Sequence, residues 1–437
     1  MSGQMTIDWT AIAAEHGTPT YVYDGDALLD NLVELRGALH PELEVFFSLK
    51  SNPNRGVYDV LRSAGARAEV SSLTELRTVL AAGTPAHDVI FLGPGKSAAE
   101  IEACVEAGIY AVVCESFAEL DAIDRASARH GTRQRVLLRI NPAHAVSGGS
   151  RLTMGGKPRQ FGIDEAEVLT SGSVLSTLRH ADVAGIHVYM GTRILEAASV
   201  VANTAYVLDL ADRVVAATGI RLDAVDIGGG LGVAYFEGES DLVVADLAKE
   251  LNPLIDRFTS AHPGVRMILE SGRYLTARAG TYLMRVRYTK RSMGENFAIA
   301  DGGTHHHMAA VGIGSFVKRN FPIELLSRQA GADSVVGPWH VTGPLCTPND
   351  TIVKNAQLPE LEPGDLLGVR RSGAYGPSAS PVYFLSHGYP AEVLVLRGRT
   401  YLVRRRDTVE DMLAAQLTHP DLSTAASPAD QPDPVHV

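Results

Sequence analysis

The chain is poor in cysteine, in clustered cations and in unbroken apolar sequence. Three cysteines, Cys104, Cys114 and Cys346, are too few and too scattered for a disulfide framework or a zinc site. Acids outnumber cations to give a net charge of −11, and no basic run interleaves with aromatics, which argues against a nucleic-acid partner. No window approaches the roughly 18 apolar residues that a spanning helix needs, and Met1 to Trp9 has no basic stretch leading into an apolar one. A cytoplasmic protein without a membrane partner is expected.

What is present is enough apolar sequence for a large core, 45% of 437 residues, and a length that predicts two domains. Apolar runs rich in Val, Ile and Leu recur at Glu44–Leu49, Arg67–Val70, Asp88–Leu92, Tyr110–Cys114, Arg135–Ile140, Val183–Tyr189, Ala224–Ile227 and Arg266–Glu270. Such runs suit strands buried on both faces. Helical spacing separates them, as in Ser72–Ala82, Ala98–Ala107, Phe117–His130 and Val200–Ala217. Eight alternations predict a (β/α)8 barrel of the TIM type, with a doubly wound open sheet left as the alternative that periodicity alone allows. After residue 270 the runs become shorter and alternating, at Thr281–Tyr288, Phe297–Ala300, Trp339–Thr342, Leu366–Val369 and Ala391–Leu396. They predict a second, C-terminal antiparallel β domain. The Pro- and Ser-rich end cannot bury an apolar face and is expected to be disordered.

Polar residues stand where the barrel strands end, the face on which a barrel places its chemistry. Lys50 follows the first strand, Glu69 ends the second, Arg139 with Asn141 the fifth, His187 the sixth, Gly228–Gly232 follow the seventh, and Glu270 to Arg273 the eighth. Burial at such a mouth is expected to disfavour the ammonium of Lys50, freeing an amine that condenses with an aldehyde. A lysine that merely snorkels is the alternative for this residue alone. The glycines either make a tight turn or let backbone N–H groups approach a phosphate at the start of the next helix. Glu270 is placed to hold a proton on a pyridine nitrogen and Arg273 to meet a phosphate, unless the two form a surface ion pair.

Together these residues resemble the fold-type-III pyridoxal-phosphate decarboxylases, the ornithine/diaminopimelate decarboxylase family, from about Pro19 to Arg406. The matching segments are Phe47 to Asn52, His187 with Gly191-Thr192, Gly228–Gly232, Glu270 to Arg273, Gly343 to Cys346, and Ser372 to Gly376. The resemblance implies an alanine-racemase-like pairing of barrel and β domain: residues 1–25 joining the β domain, a barrel over 26–274, the β domain over 275–412, and a disordered tail over 413–437. It implies pyridoxal 5′-phosphate as cofactor and a homodimer with shared active sites. Lys50 would carry the cofactor, His187 stack on it and Glu270 meet its nitrogen. Gly229, Gly230, Gly272, Arg273 and Tyr375 would hold the phosphate, with Glu69 and Arg139 as further cofactor contacts. Cys346, from the partner subunit, would protonate the carbanion. Glu270 points to decarboxylation, because the related racemases place an arginine there. No metal is expected, and retention of Lys50 and Cys346 argues against a catalytically silent protein on this scaffold.

Two departures bear on the substrate. Members acting on free diamino acids carry an acid directly after the catalytic cysteine, where Thr347 stands here. Diaminopimelate enzymes follow Asp-Gly-Gly with an arginine clamp, where Asp301-Gly302-Gly303 here leads into Thr304-His305-His306-His307-Met308. In Phe91 to Lys96, Met154 to Gly162, the histidine triplet and Gly343 to Pro348 the chain resembles the branch that decarboxylates a glutamyl group tethered to an acyl carrier protein. A thioester needs no charged clamp at its far end. A free amino acid of diaminopimelate, ornithine or lysine type is the alternative. Arg151, Lys157 and Arg159 lie in an acid-free loop, Ala143 to Gln160, either a carrier-docking site or a plain glycine-rich loop. The histidines, read as extended, are expected to alternate faces and to line the channel or pack between domains.

Overall fold

The computed structural model describes residues 7–143, 158–311, 319–328 and 335–419. Its strands in chain order are β1 (Thr20–Asp24), β2 (Leu43–Ser48), β3 (Arg67–Val70), β4 (Val89–Phe91), β5 (Ala111–Cys114), β6 (Gln134–Asn141), β7 (Ile163–Asp164), β8 (Ala181–His187), β9 (Ala224–Asp226) and β10 (Arg266–Ser271). They continue as β11 (Gly280–Ser292), β12 (Glu295–Ala300), β13 (Ile323–Leu325), β14 (Val336–Thr342), β15 (Thr351–Pro359), β16 (Leu366–Val369), β17 (Ala391–Leu396) and β18 (Arg399–Arg404).

Strands β2, β3, β4, β5, β6, β8, β9 and β10 pair in parallel in that order, and β10 returns to β2 to close the ring. Closure excludes the open sheet. The helices between them begin where side-chain caps permit: Ser72, Ser97 and Ser116 each accept a backbone N–H of the first turn ahead of Leu73–Ala81, Ala98–Ala107 and Phe117–Arg129.

Alternation along the strands separates two cores. Phe46, Ile90, Ala111, Val113, Leu137, Ala224 and Ile268 form a small apolar cluster of their own, while neighbours such as Phe47, Phe91, Val112, Leu138, Val225 and Leu269 belong to the large cluster shared with the helices. The small cluster is therefore the barrel interior. Because side chains repeat faces every second residue, the next inward positions are Ser48, Glu115, Arg139, Asp226 and Glu270. Glu69 and His187 join them, since their neighbours Ala68, Val70, Ile186 and Val188 pack outward. Register levels the set: Arg139 lies opposite His187, His187 opposite Asp226, and Glu69 opposite Ser48. An apolar plug thus carries a polar layer at the C-terminal mouth.

The second sheet runs β15-β14-β12-β11-β1-β17-β18, with β16 bridging β11 and β13. Most of its pairings are antiparallel, but β1–β17 and β12–β14 are parallel. The N-terminal strand β1 sits between β11 and β17, so the chain starts in this sheet, enters the barrel, and returns. Near the other end, the helix Val409–Ala414, begun by the Thr408 capping box, straddles the boundary expected at residue 412 and reaches only two residues into the segment expected to be disordered. Among the described residues, no helix is long and apolar enough to cross a membrane.

Candidate active site

Lys50 stands beyond the end of β2, in the 3-10 turn Leu49–Ser51. Ser51 Oγ donates to the Ser48 carbonyl at 2.9 Å and the Asn52 N–H to the Leu49 carbonyl at 2.8 Å, folding the chain back over the barrel mouth. The amine lies 3.0 Å from both oxygens of Glu69 and 4.0 Å from Glu270. The Lys50 side chain remains 39% exposed, whereas Glu69 is wholly buried. Burial pushes the Lys50 pKa down, but Glu69, Glu270 and Tyr375 outweigh it and the net shift is upward. This corrects the expectation that burial loosens the proton. With two carboxylates at hand the amine is an ammonium, and it becomes a nucleophile once one carboxylate finds another cationic partner.

Glu270 is the carboxylate placed for that exchange. Burial raises its pKa, yet Lys50 and His187 more than reverse this and keep it anionic. Its Oε1 is 3.0 Å from His187 Nε2, on a histidine with no exposure. Asp226 behaves oppositely, since burial and the Glu270 charge push its pKa well up. Asp226 Oδ1 accepts the Gly228 N–H at 2.8 Å, while Oδ2 and His187 Nδ1 have no partner. The three residues each bring one polar atom within 4.8 Å of the others. An anionic acid beside a neutral acid and an imidazole suits a single protonated ring nitrogen.

The glycines are imposed by the close approach of backbone. A Cβ on Gly229 would meet the Glu270 carbonyl oxygen at 2.3 Å, and one on Gly230, at φ +102°, the Gly191 carbonyl oxygen at 2.1 Å. The next helix begins only at Val244, so the expected glycine-to-helix junction is absent and any anion contact here comes from the loop backbone. Arg273 makes no ion pair with Glu270. Its Nη1 donates to Tyr235 Oη at 2.9 Å, and its guanidinium lies 4.6 Å from the centre of the Tyr375 ring.

Lys50, Gly229, Gly230, Glu270, Gly272, Arg273 and Tyr375 line one cavity together with Ser48, Tyr189, Thr192 and Leu231. Glu69 and His187, both fully buried, are not in its lining, and neither is Arg139. Arg139 is bound at 2.8 Å to Glu115, which also accepts the N–H groups of Gly93 and Gly162, and it lies over the Phe161 ring. Cys346 is exposed in the turn between β14 and β15, outside the cavity of its own chain. Sequence reasoning missed Asp226, Glu115 and Tyr235. The first two had a signal, each standing two residues beyond an inward-facing apolar residue.

The histidine triplet is not extended. Residues 304–306 form a turn, with the His306 N–H donating to the Gly303 carbonyl at 3.1 Å, and all three imidazoles are buried within the β domain. His306 Nε2 bonds the Gly388 carbonyl at 2.9 Å and His307 Nε2 the Ser372 hydroxyl at 2.8 Å. His305 makes tilted ring contacts with His306 and His387, with centroids 3.8 and 4.5 Å away, and neither of its ring nitrogens has a partner. Of the basic loop, Arg151 and Lys157 lie outside the described residues.

Comparison with known proteins matches this arrangement. The profile of the pyridoxal-dependent decarboxylase pyridoxal-binding domain fits residues 29–277, a span covering every barrel strand. The chain belongs to the pyridoxal-dependent decarboxylases. This decarboxylase is 38% identical over 410 residues to the L-glutamyl-[BtrI acyl-carrier protein] decarboxylase of Niallia circulans, covering 93% of this chain and 96% of that one. It is 32% identical over 411 residues to the diaminopimelate decarboxylase of Pseudomonas aeruginosa, covering 93% and 94%. Among solved structures it is similar to the diaminopimelate decarboxylase of Helicobacter pylori complexed with L-lysine, with a TM-score of 0.83, 28% identity, and 93% and 98% of the two chains covered.

The residues of this decarboxylase fit pyridoxal phosphate. An amine reaches the cavity, an anionic carboxylate lies within 4.0 Å of it, and a guanidinium and a side-chain-free loop line the same space. The enzyme is a carboxy-lyase acting on amino-acid substrates.

Proposed function

We propose that this enzyme removes the α-carboxylate of an aminoacyl group of glutamyl type, held as a thioester on an acyl carrier protein in secondary metabolism. The observation that carries the reading is the β-domain face, where Thr347 follows Cys346 and the segment after Gly303 turns inward as three neutral imidazoles. A substrate with a charged far end would find neither an acid at position 347 nor an arginine between Thr304 and Met308 to pair with. A thioester would require neither. The higher identity to the carrier-linked glutamyl enzyme than to the diaminopimelate enzymes points the same way.

In this reading Lys50 is the attachment amine and Glu69 its resting partner. Bound pyridoxal phosphate supplies an electron-withdrawing ring on which the electron pair released with carbon dioxide is delocalised. Glu270 keeps the ring nitrogen protonated, and His187, fixed by Glu270, presents its imidazole to the ring. Arg273, Tyr375 and the backbone at Gly229, Gly230 and Gly272 hold the phosphate. Arg139 acts through Glu115, which ties the loop at Gly93 to that at Gly162. Cys346 lies exposed and outside its own cavity, which suits service to the site of a second subunit in a homodimer, where its thiol gives a proton to the α-carbon.

The test is mass spectrometry of carrier-bound glutamate beside free diaminopimelate, ornithine and lysine. Loss of carbon dioxide from the carrier-bound group, with the free amino acids turned over at least about 100-fold less efficiently, is expected. Efficient turnover of free diaminopimelate with none of the carrier-bound group overturns the substrate reading and leaves the cofactor site standing.

A further inference from the structure

The turn that carries Lys50 belongs to the barrel, yet the loop leaving it is held by the β domain. The Tyr375 N–H donates to the Ser51 carbonyl at 2.7 Å, and Asn52 Nδ2 donates to the Gly373 carbonyl at 2.9 Å. Asn54 Nδ2 donates to Glu392 Oε2 at 2.9 Å, and Tyr23 Oη donates to Glu392 Oε1 at 2.7 Å. Glu392 stands on β17 and is 5% exposed.

The orientation of the Asn54 amide is fixed by its other partner. Its Oδ1 accepts the Gly56 N–H at 2.8 Å and so caps the helix Arg55–Ser63, which leaves the NH2 group to face the carboxylate. Alongside, a cavity of about 240 Å³ is lined by Asn52, Pro53, Asn54, Tyr389, Glu392 and Arg404. With open space on that side, the hydrogen bonds of Asn52 and Asn54 hold the loop where side-chain packing is thinnest.

We propose that Glu392 is a positioning residue for Lys50: through Asn54 it holds residues 50–54 so that the amine stands between Glu69 and Glu270. Cofactor attachment in the barrel is then coupled to correct seating of the β domain. The inference rests on the reading of Lys50 as the attachment amine.

A polarity swap tests it. Asn54→Asp keeps an oxygen for the helix cap but turns the donor into a carboxylate facing Glu392. The double change Asn54→Asp/Glu392→Gln restores a donor–acceptor pair of the same net charge, with the new amide donating to residue 54 and still accepting from Tyr23. Pyridoxal phosphate affinity is read by absorbance titration, Lys50 reactivity by borohydride trapping with peptide mapping, and kcat and KM separately. The single change is expected to weaken cofactor affinity about tenfold, slow trapping, and lower kcat while KM stays within about twofold. The double change is expected to recover both affinity and trapping to within about threefold of the unaltered enzyme. If Asn54→Asp does not fold, Asn54→Ser, which keeps the cap and only removes the amide, carries the same expectation. Unchanged affinity in the single variant, or no recovery in the double, overturns the proposal. Label on a lysine other than Lys50 in the unaltered enzyme overturns the attachment reading and the proposal together, whereas label on Lys50 with unchanged affinity sinks the proposal alone.

Discussion

The barrel mouth and the β-domain face bury polar groups by opposite means. At the barrel mouth, charge is set against charge: Lys50 between Glu69 and Glu270, Arg139 on Glu115, and Lys96 on Glu119 at 2.7 Å. Around the histidine triplet of the β domain the buried groups are imidazoles driven neutral by burial, with His305 brought down to about 2, His307 to about 3 and His306 to about 4. The buried acid beside them, Asp350, is satisfied by neutral donors, the N–H and hydroxyl of Thr304 and the N–H of Leu345. The difference separates two jobs. Ion pairs can exchange partners when a cofactor brings its own charges, whereas a neutral cluster offers a charged substrate nothing to pair with.

The sharpest break of this contrast removes the Lys50 amine from between its two carboxylates. Lys50→Ala is expected to abolish the cofactor's visible absorbance and to lower turnover at least about 1,000-fold, because among the described residues no other amine lines the cavity. Retention of both would move the attachment point elsewhere. On the β-domain side, Cys346→Ala is expected to leave absorbance intact and slow turnover about 100-fold, the range of a lost general acid. Mixing the two inactive variants sharpens the comparison further. If the two faces meet between subunits, random exchange makes half the dimers mixed, each with one intact site, and about a quarter of full activity returns. No recovery after exchange, with dimers present, would place each Cys346 with its own Lys50.

The sequence was most legible where burial and periodicity coincide. Arg67–Val70, Leu366–Val369 and Ala391–Leu396 form strands, and Ala98–Ala107 a helix, over the same residues that their apolar pattern marks. β18 escaped because most of its residues are exposed on both faces and it shows no alternation, while β15 is irregular around Asn355, whose φ is +54°. Within the site, strand ends disclosed Lys50, Glu69, His187 and Glu270 as polar residues following apolar runs. They did not disclose the protonation of Lys50, which depends on carboxylates brought in from other strands. Nor did a two-residue alternation suit the histidines, since the tight approach of Gly303 to Asp350 and to Gly343 folds that segment into a turn. Asp226 was passed over for a simpler reason: it lies inside the short run Ala224–Ile227, ahead of the residues that follow the strand.

The smallest expected effect tests the neutral half of the contrast. A histidine whose folded pKa lies below its unfolded value of about 6.5 binds fewer protons when folded, so its contribution is intact above that pH. As pH falls from about 6.5 toward the folded value of about 4 at His306, the unfolded state takes up protons first and stability declines. Melting temperature should therefore drop by several degrees between pH 7 and pH 5. His305→Phe isolates the effect, because neither nitrogen of His305 has a hydrogen bond to lose and a ring still contacts His306 and His387. The variant is expected to melt within about 2 °C of the parent at pH 7 and clearly above it at pH 5, having one fewer group to protonate on unfolding. A gap that stays constant with pH would mean that His305 keeps its proton inside the fold, and that the β-domain face carries charge after all.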